Sequence, residues 1–168
     1  MARVSATRRL EFDAGHRVMR HESRCAHLHG HRYRVDVTCS ADALDDVGRV
    51  VDFGVVKADV GGWIDEVLDH ALLLHPDDPM VAPAVALQQG GVAGPRQLPT
   101  VGGGCWWPSA RVVAMPDDLG EPTAENLATL VARLAVATLG PRGLVVDRVR
   151  VYETPNCWAD WRRDATGG

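Results

Sequence analysis

Five of the seven histidines fall between His16 and His31, and three of them sit at positions that extended backbone turns to one face. Leu10, Phe12, Ala14 and His16 share one parity within Val4 to His16, the pattern of a strand with one face inward. A second run, about Gly30 to Ser40, alternates Tyr33, Val35 and Val37 with Arg32, Arg34, Asp36 and Thr38. Side chains two residues apart on a strand point to the same face, so His29 and His31 project together. If the two strands pair as antiparallel neighbours, His16 joins them. Three neutral imidazoles with one open position make a catalytic zinc site, since structural sites are normally closed by four protein ligands. His21 and His27 lack this parity and read as ordinary polar residues.

Cys25 stands four residues before His29 and admits two readings. It is either a fourth ligand that closes a structural site, or a thiol kept beside the cation and ionised by it to take a proton. Asp69-His70 has the form of a carboxylate orienting an imidazole, although the dipeptide alone is a weak signal. Glu153 ends a Val-rich strand on the parity of Val149 and Val151. A carboxylate on an apolar face is costly to bury without a partner. It either caps a strand end in solvent or receives N–H donors from a ligand. Cys39 reads as a small core residue, and Cys105 and Cys157 have no partner motif.

Helical spacing of Phe53, Val56, Val60, Ile64, Val67 and Leu68 predicts an amphipathic helix over about 53–68. Gly61-Gly62 weakens it by about 1 kcal/mol per glycine, which a tight packing contact would offset. A second helix begins at Pro122-Thr123-Ala124-Glu125-Asn126 with Thr123 as N-cap, carries an apolar stripe from Leu127 to Leu134, and stops at Gly140-Pro141. A last strand covers about Leu144 to Thr154. Between His75 and Glu121 no periodicity is visible, and the segment holds most of the prolines, Gly90-Gly91, Gly102-Gly103-Gly104 and Trp106-Trp107. A stretch of that length without a pattern reads as an insertion, partly ordered by its tryptophans. The order β-β-α, insertion, α-β gives an α+β domain with an antiparallel sheet.

With 168 residues, the chain suits one domain, 1–168, with the insertion at about 76–120. Aromatics make up only 5%, so Val, Leu and Ala must supply the core. A net charge of −4 without a basic block argues against nucleic acid as a partner. No apolar leader and no membrane-length apolar run is visible, and the four scattered cysteines read as free thiols, so a cytoplasmic location without membrane contact is expected.

Read together, Phe12-Asp13-Ala14-Gly15-His16, Cys25-x-x-x-His29-Gly30-His31-x-Tyr33, Val51-Asp52-Phe53-x-x-x-Lys57, Leu68-Asp69-His70, Pro122-Thr123-Ala124-Glu125-Asn126-Leu127 and Val151-Tyr152-Glu153-Thr154 occur in register. They resemble the 6-pyruvoyltetrahydropterin synthase family, and within it the bacterial 6-carboxy-5,6,7,8-tetrahydropterin synthases, over about residues 4–75 and 121–161. The resemblance implies the tunnelling fold (T-fold), a four-stranded antiparallel sheet with two helices on one face. It also implies edge-to-edge assembly into a barrel-forming trimer, and a homohexamer of two trimers with sites between subunits.

By the same resemblance, His16, His29 and His31 are ligands of Zn2+, Cys25 is the proton-abstracting thiol, and Asp69 and His70 are its partners from across an interface. Glu153 anchors the pterin's N–H groups. The implied substrate is 7,8-dihydroneopterin triphosphate, converted to 6-carboxy-5,6,7,8-tetrahydropterin with loss of triphosphate and acetaldehyde, in 7-deazapurine (queuosine or related) biosynthesis. The alternatives are the pyruvoyl-forming synthase and a non-catalytic zinc- or pterin-binding relative. Arg17, Arg24 or Arg32 is assigned to the triphosphate from charge alone. Two departures stand out: Ala71-Leu72-Leu73-Leu74 follows the Asp-His pair where many relatives carry an asparagine, and the shortest members lack the 76–120 segment.

Overall fold

The computed structural model describes residues 4–87 and 93–164, so Gly90-Gly91 lies outside the described residues. The two long strands expected from alternation form β1 (Ser5–His16) and β2 (His29–Ser40), paired antiparallel along their whole length. The Val-rich run forms β7 (Val145–Thr154), antiparallel to β2, and a tight turn leads into β8 (Cys157–Arg162) on its far side. These four strands are the antiparallel set that the resemblance implies. β8 escapes periodicity because its inward positions are only Ala159 and Trp161, opposite Val151 and Val149.

The sheet is larger and more mixed than four antiparallel strands. Ala71–Leu74 forms β3, parallel to β1, which explains its apolar sequence: it is an interior strand with Ala71, Leu73 and Leu74 buried. The region expected to be an irregular insertion contributes α3 (Val81–Ala86) and three short strands, β4 (Arg96–Gln97), β5 (Cys105–Trp107) and β6 (Val112–Ala114). β6 runs parallel to β3, and the order across all eight strands is β4-β5-β6-β3-β1-β2-β7-β8. Trp106 is buried in the main core, and Trp63 Nε1 donates to the Pro99 carbonyl at 2.9 Å, so tryptophans do order this segment.

The helix expected over 53–68 is interrupted. It comprises α1 (Phe53–Val56), a π-helical turn (Lys57–Gly61) and α2 (Gly62–Val67). Gly61 is where the run meets β1: a Cβ there would lie 3.1 Å from Leu10 Cδ2, whereas one on Gly62 would meet open space. α4 (Ala124–Leu139) follows the expected stripe, with Leu127, Leu130, Val131 and Leu134 buried and the Thr123 hydroxyl accepting from Asn126 N–H. The helices share a core with Phe12, Tyr33, Val35, Val149 and Val151, and Phe12 stacks on Tyr33 with ring centroids 4.9 Å apart. Cys39 is fully buried there, and burial pushes its thiol up to about 11. The opposite face is polar and internally paired, with Arg9 on Asp36 and Arg150 on Asp160. No described helix is long and apolar enough to cross a membrane.

Candidate metal centre and adjoining pocket

Register does what parity requires. His16 stands opposite His29, and Ala14 opposite His31, at the end of the β1–β2 ladder on the core face. One ligand nitrogen from each of the three histidines falls within 4.8 Å of the other two. Cys25 and Glu153 do not join that group, so the fourth-ligand reading of Cys25 finds no support in the geometry. The Glu153 carboxylate nevertheless stands close, 3.6 Å from His16 Nε2 and 3.9 Å from His31 Nε2.

Two of the rings are oriented from behind. His16 Nδ1 donates to the Pro122 carbonyl at 2.9 Å, and His29 Nδ1 donates to the His27 carbonyl at 2.7 Å. Carbonyl oxygens only accept, so in the neutral rings neither Nε2 carries hydrogen. Yet those two nitrogens are 3.0 Å apart. Lone pairs at that distance repel unless a cation stands between them, and tetrahedral zinc sets neighbouring nitrogens roughly 3.3 Å apart. Burial also holds His16 below the usual imidazole range, which disfavours a proton on that ring. The triad therefore fits a metal ion.

The Pro122 carbonyl is itself held. Asn126, in the first turn of α4, donates to the Leu119 and Glu121 carbonyls at 2.7 and 2.8 Å, while the Glu121 carboxylate accepts from Met19 and Arg20 N–H. Arg17, next to His16, makes a two-pronged pair with Asp78 at 2.7 Å on both prongs, and that carboxylate is fully buried. Arg17 is thereby committed to structure rather than free for a phosphate, which corrects its assignment from charge. Arg32 pairs with Glu11 at 3.0 Å. Arg24 is left as the guanidinium of that set outside any ion pair among the described residues.

Cys25 lies on a short 3-10 turn, Arg24–Ala26, and half-buried it lines a cavity of about 200 Å3 together with His21, Thr123, Glu125, Glu153 and Trp158. Asp69 and His70 are elsewhere. Asp69 accepts from Asp13 N–H at 2.9 Å and holds His70 Nδ1 at 2.6 Å, and the His70 N–H donates to the Asp13 carbonyl. Burial works against the Asp69 anion, but the Asp13 N–H and His70 keep its carboxyl below the usual range. His70 has a left-handed backbone (φ 58°), and its side chain is 73% exposed. It borders a second concavity of about 450 Å3, lined also by Asp13, Gly15, Gly30, Arg32 and His31 of the triad, but not by Cys25. Within one chain the pair and Cys25 thus face different spaces. Neither the Pro122 carbonyl nor the Arg17–Asp78 pair was foreseen from the sequence; the only local signal for the first is the helix-start motif that contains it.

The profile of the family described as 6-pyruvoyl tetrahydropterin synthase matches residues 5–164. The chain belongs to this family. Among its relatives, the 6-carboxy-5,6,7,8-tetrahydropterin synthase of Rickettsia bellii is 34% identical over 94% of this chain and 99% of its own length, and that of Rickettsia felis is 35% identical over the same shares. Among solved structures, an uncharacterised protein of Wolinella succinogenes matches with a TM-score of 0.80 at 24% identity, covering 98% of this chain and 100% of its own. The 6-pyruvoyl tetrahydropterin synthase of Caenorhabditis elegans matches with a TM-score of 0.61 at 17% identity, covering 98% of each chain. These likenesses establish the T-fold of the family.

Proposed function

We propose that this chain is a lyase that converts 7,8-dihydroneopterin triphosphate and water to 6-carboxy-5,6,7,8-tetrahydropterin, releasing triphosphate and acetaldehyde, as a step of 7-deazapurine (queuosine-type) biosynthesis. The observation that carries the reading is the convergence of His16, His29 and His31, with Glu153, 3.6 Å from His16 Nε2, joining the triad to the cavity that Cys25 lines. Near full-length similarity to proteins named for that activity supports it. The whole chain is read as one domain with residues 76–120 as its insertion.

His16, His29 and His31 hold Zn2+, which when bound supplies Lewis-acid polarisation of the substrate's side-chain oxygens. Glu153 accepts the ring N–H groups of the pterin, which fixes the ring and aims its side chain at the histidines. Cys25 Sγ takes the carbon-bound proton. His70, held in one tautomer by Asp69 on Nδ1, returns protons through Nε2. Because His70, held by Asp69, lines a different concavity from Cys25 in its own chain, the pair serves the site of a neighbouring subunit in a homohexamer of two trimers. Arg24 takes the triphosphate. Mass analysis of the products formed from 7,8-dihydroneopterin triphosphate tests the reading. Acetaldehyde and the carboxylated pterin are expected, while a pyruvoyl product, or none, would overturn it.

A further inference from the structure

His21 belongs to none of the groups assigned above, yet it stands in the reaction pocket. The loop after β1 doubles back: Val18 N–H donates to the Cys25 carbonyl at 2.8 Å, and His21 N–H donates to the Val18 carbonyl at 3.0 Å. This fold of the loop brings His21 to the cavity wall beside Cys25 and Glu153. Its ring orientation is set by a backbone donor. Ser23 N–H donates to His21 Nδ1 at 3.0 Å, with the Ser23 hydroxyl at 3.2 Å from the same atom. A backbone N–H can only donate, so Nδ1 keeps its lone pair and the ring hydrogen sits on Nε2. Glu22, 3.9 Å from Nδ1, adds no donor. Among the described residues Nε2 has no hydrogen-bond partner, and the side chain is 34% exposed. A fixed imidazole in a reaction pocket thus presents one unspent donor.

We propose that His21 is a substrate-positioning residue whose Nε2–H donates to an oxygen of the substrate's three-carbon side chain beside Cys25. The proposal rests on the pterin reading above: a thiol that takes a carbon-bound proton must have that side chain next to it, and each carbon there bears an oxygen that can accept. His21→Asn separates the two ends of the ring. The shorter amide oxygen can still accept from Ser23 N–H and keep the loop, but no donor reaches the place of Nε2.

The test is a fluorescence titration of the zinc-loaded full chain with 7,8-dihydroneopterin, which carries the side chain, and 7,8-dihydropterin, which lacks it. For His21→Asn the affinity for dihydroneopterin should fall about tenfold, the scale of one hydrogen bond, with dihydropterin affinity and zinc content unchanged. Unchanged affinity for both ligands, or an equal loss for both, would overturn the role of His21. Failure of the unaltered protein to bind either ligand would overturn the pterin reading itself, and His21's role with it.

Discussion

Removing His16 from the triad leaves two imidazoles on one strand, too few to keep a zinc ion against solvent. His16→Ala is therefore expected to purify with less than about a tenth of the zinc of the unaltered protein, measured by elemental analysis. Cys25→Ala should behave oppositely. It retains full zinc and folds normally, but its kcat falls by about 10^2- to 10^4-fold, the range of a lost general base; turnover that survives the change would remove Cys25 from the mechanism. The triad is legible in the sequence because strand parity carries His29 and His31 to one face and the ladder needs only one register to add His16. The Pro122 carbonyl and the buried Asp78 that grips Arg17 are not legible, because such contacts join residues 106 and 61 positions apart and leave no local pattern.

The helical run shows how far periodicity reaches at the level of an element. Its apolar stripe places the helix correctly, but nothing in the stripe marks the π-turn at Lys57–Gly61, whose Gly61 lies so close to Leu10 of β1 that a Cβ there would stand 3.1 Å from Leu10 Cδ2. Adjacent glycines should therefore respond differently. Gly62→Ala, in open space, is expected to stabilise the protein by about 1 kcal/mol, whereas Gly61→Ala must displace Leu10 and gains nothing; thermal melts of the two variants check this. The strands β3 to β6 are two to four residues each, too short for alternation to declare itself, so only the folded sheet shows that the 76–120 region extends it beyond β3. Asp78, through Arg17, ties that region to the end of the strand that carries His16. Burial opposes its ionisation, but Arg17 and the Met80 N–H hold its carboxyl below the usual range. Its folded-state value is thus the depressed one, so its contribution is complete above the ordinary carboxyl range near 3.8 and is lost as pH falls through the lower folded value. Asp78→Asn should cost about 1–3 kcal/mol at neutral pH, with the difference from the unaltered protein shrinking in strong acid, as urea melts across pH would record.

At the scale of the whole molecule, the proposed function makes assembly part of the chemistry, because His70 and Cys25 line different concavities within one chain. Cys25→Ala and His70→Ala, each inactive alone, should regain part of the activity when unfolded together and refolded as mixed oligomers, because some interfaces then unite an intact Cys25 with an intact His70. An inactive mixture of the two would contradict sites shared between subunits. The sequence shows the long strands and the two main helices of the chain, but a barrel closed between copies leaves no mark on periodicity and enters only through the family resemblance. The claim on which everything else depends is the metal with one open position, and X-ray absorption on the zinc-loaded protein addresses it directly. Three imidazole nitrogens and an oxygen at about 2.0 Å are expected, unchanged in Cys25→Ala. A sulfur ligand at about 2.3 Å that disappears in Cys25→Ala would show a closed four-ligand site, and Cys25 would then be a ligand rather than a base.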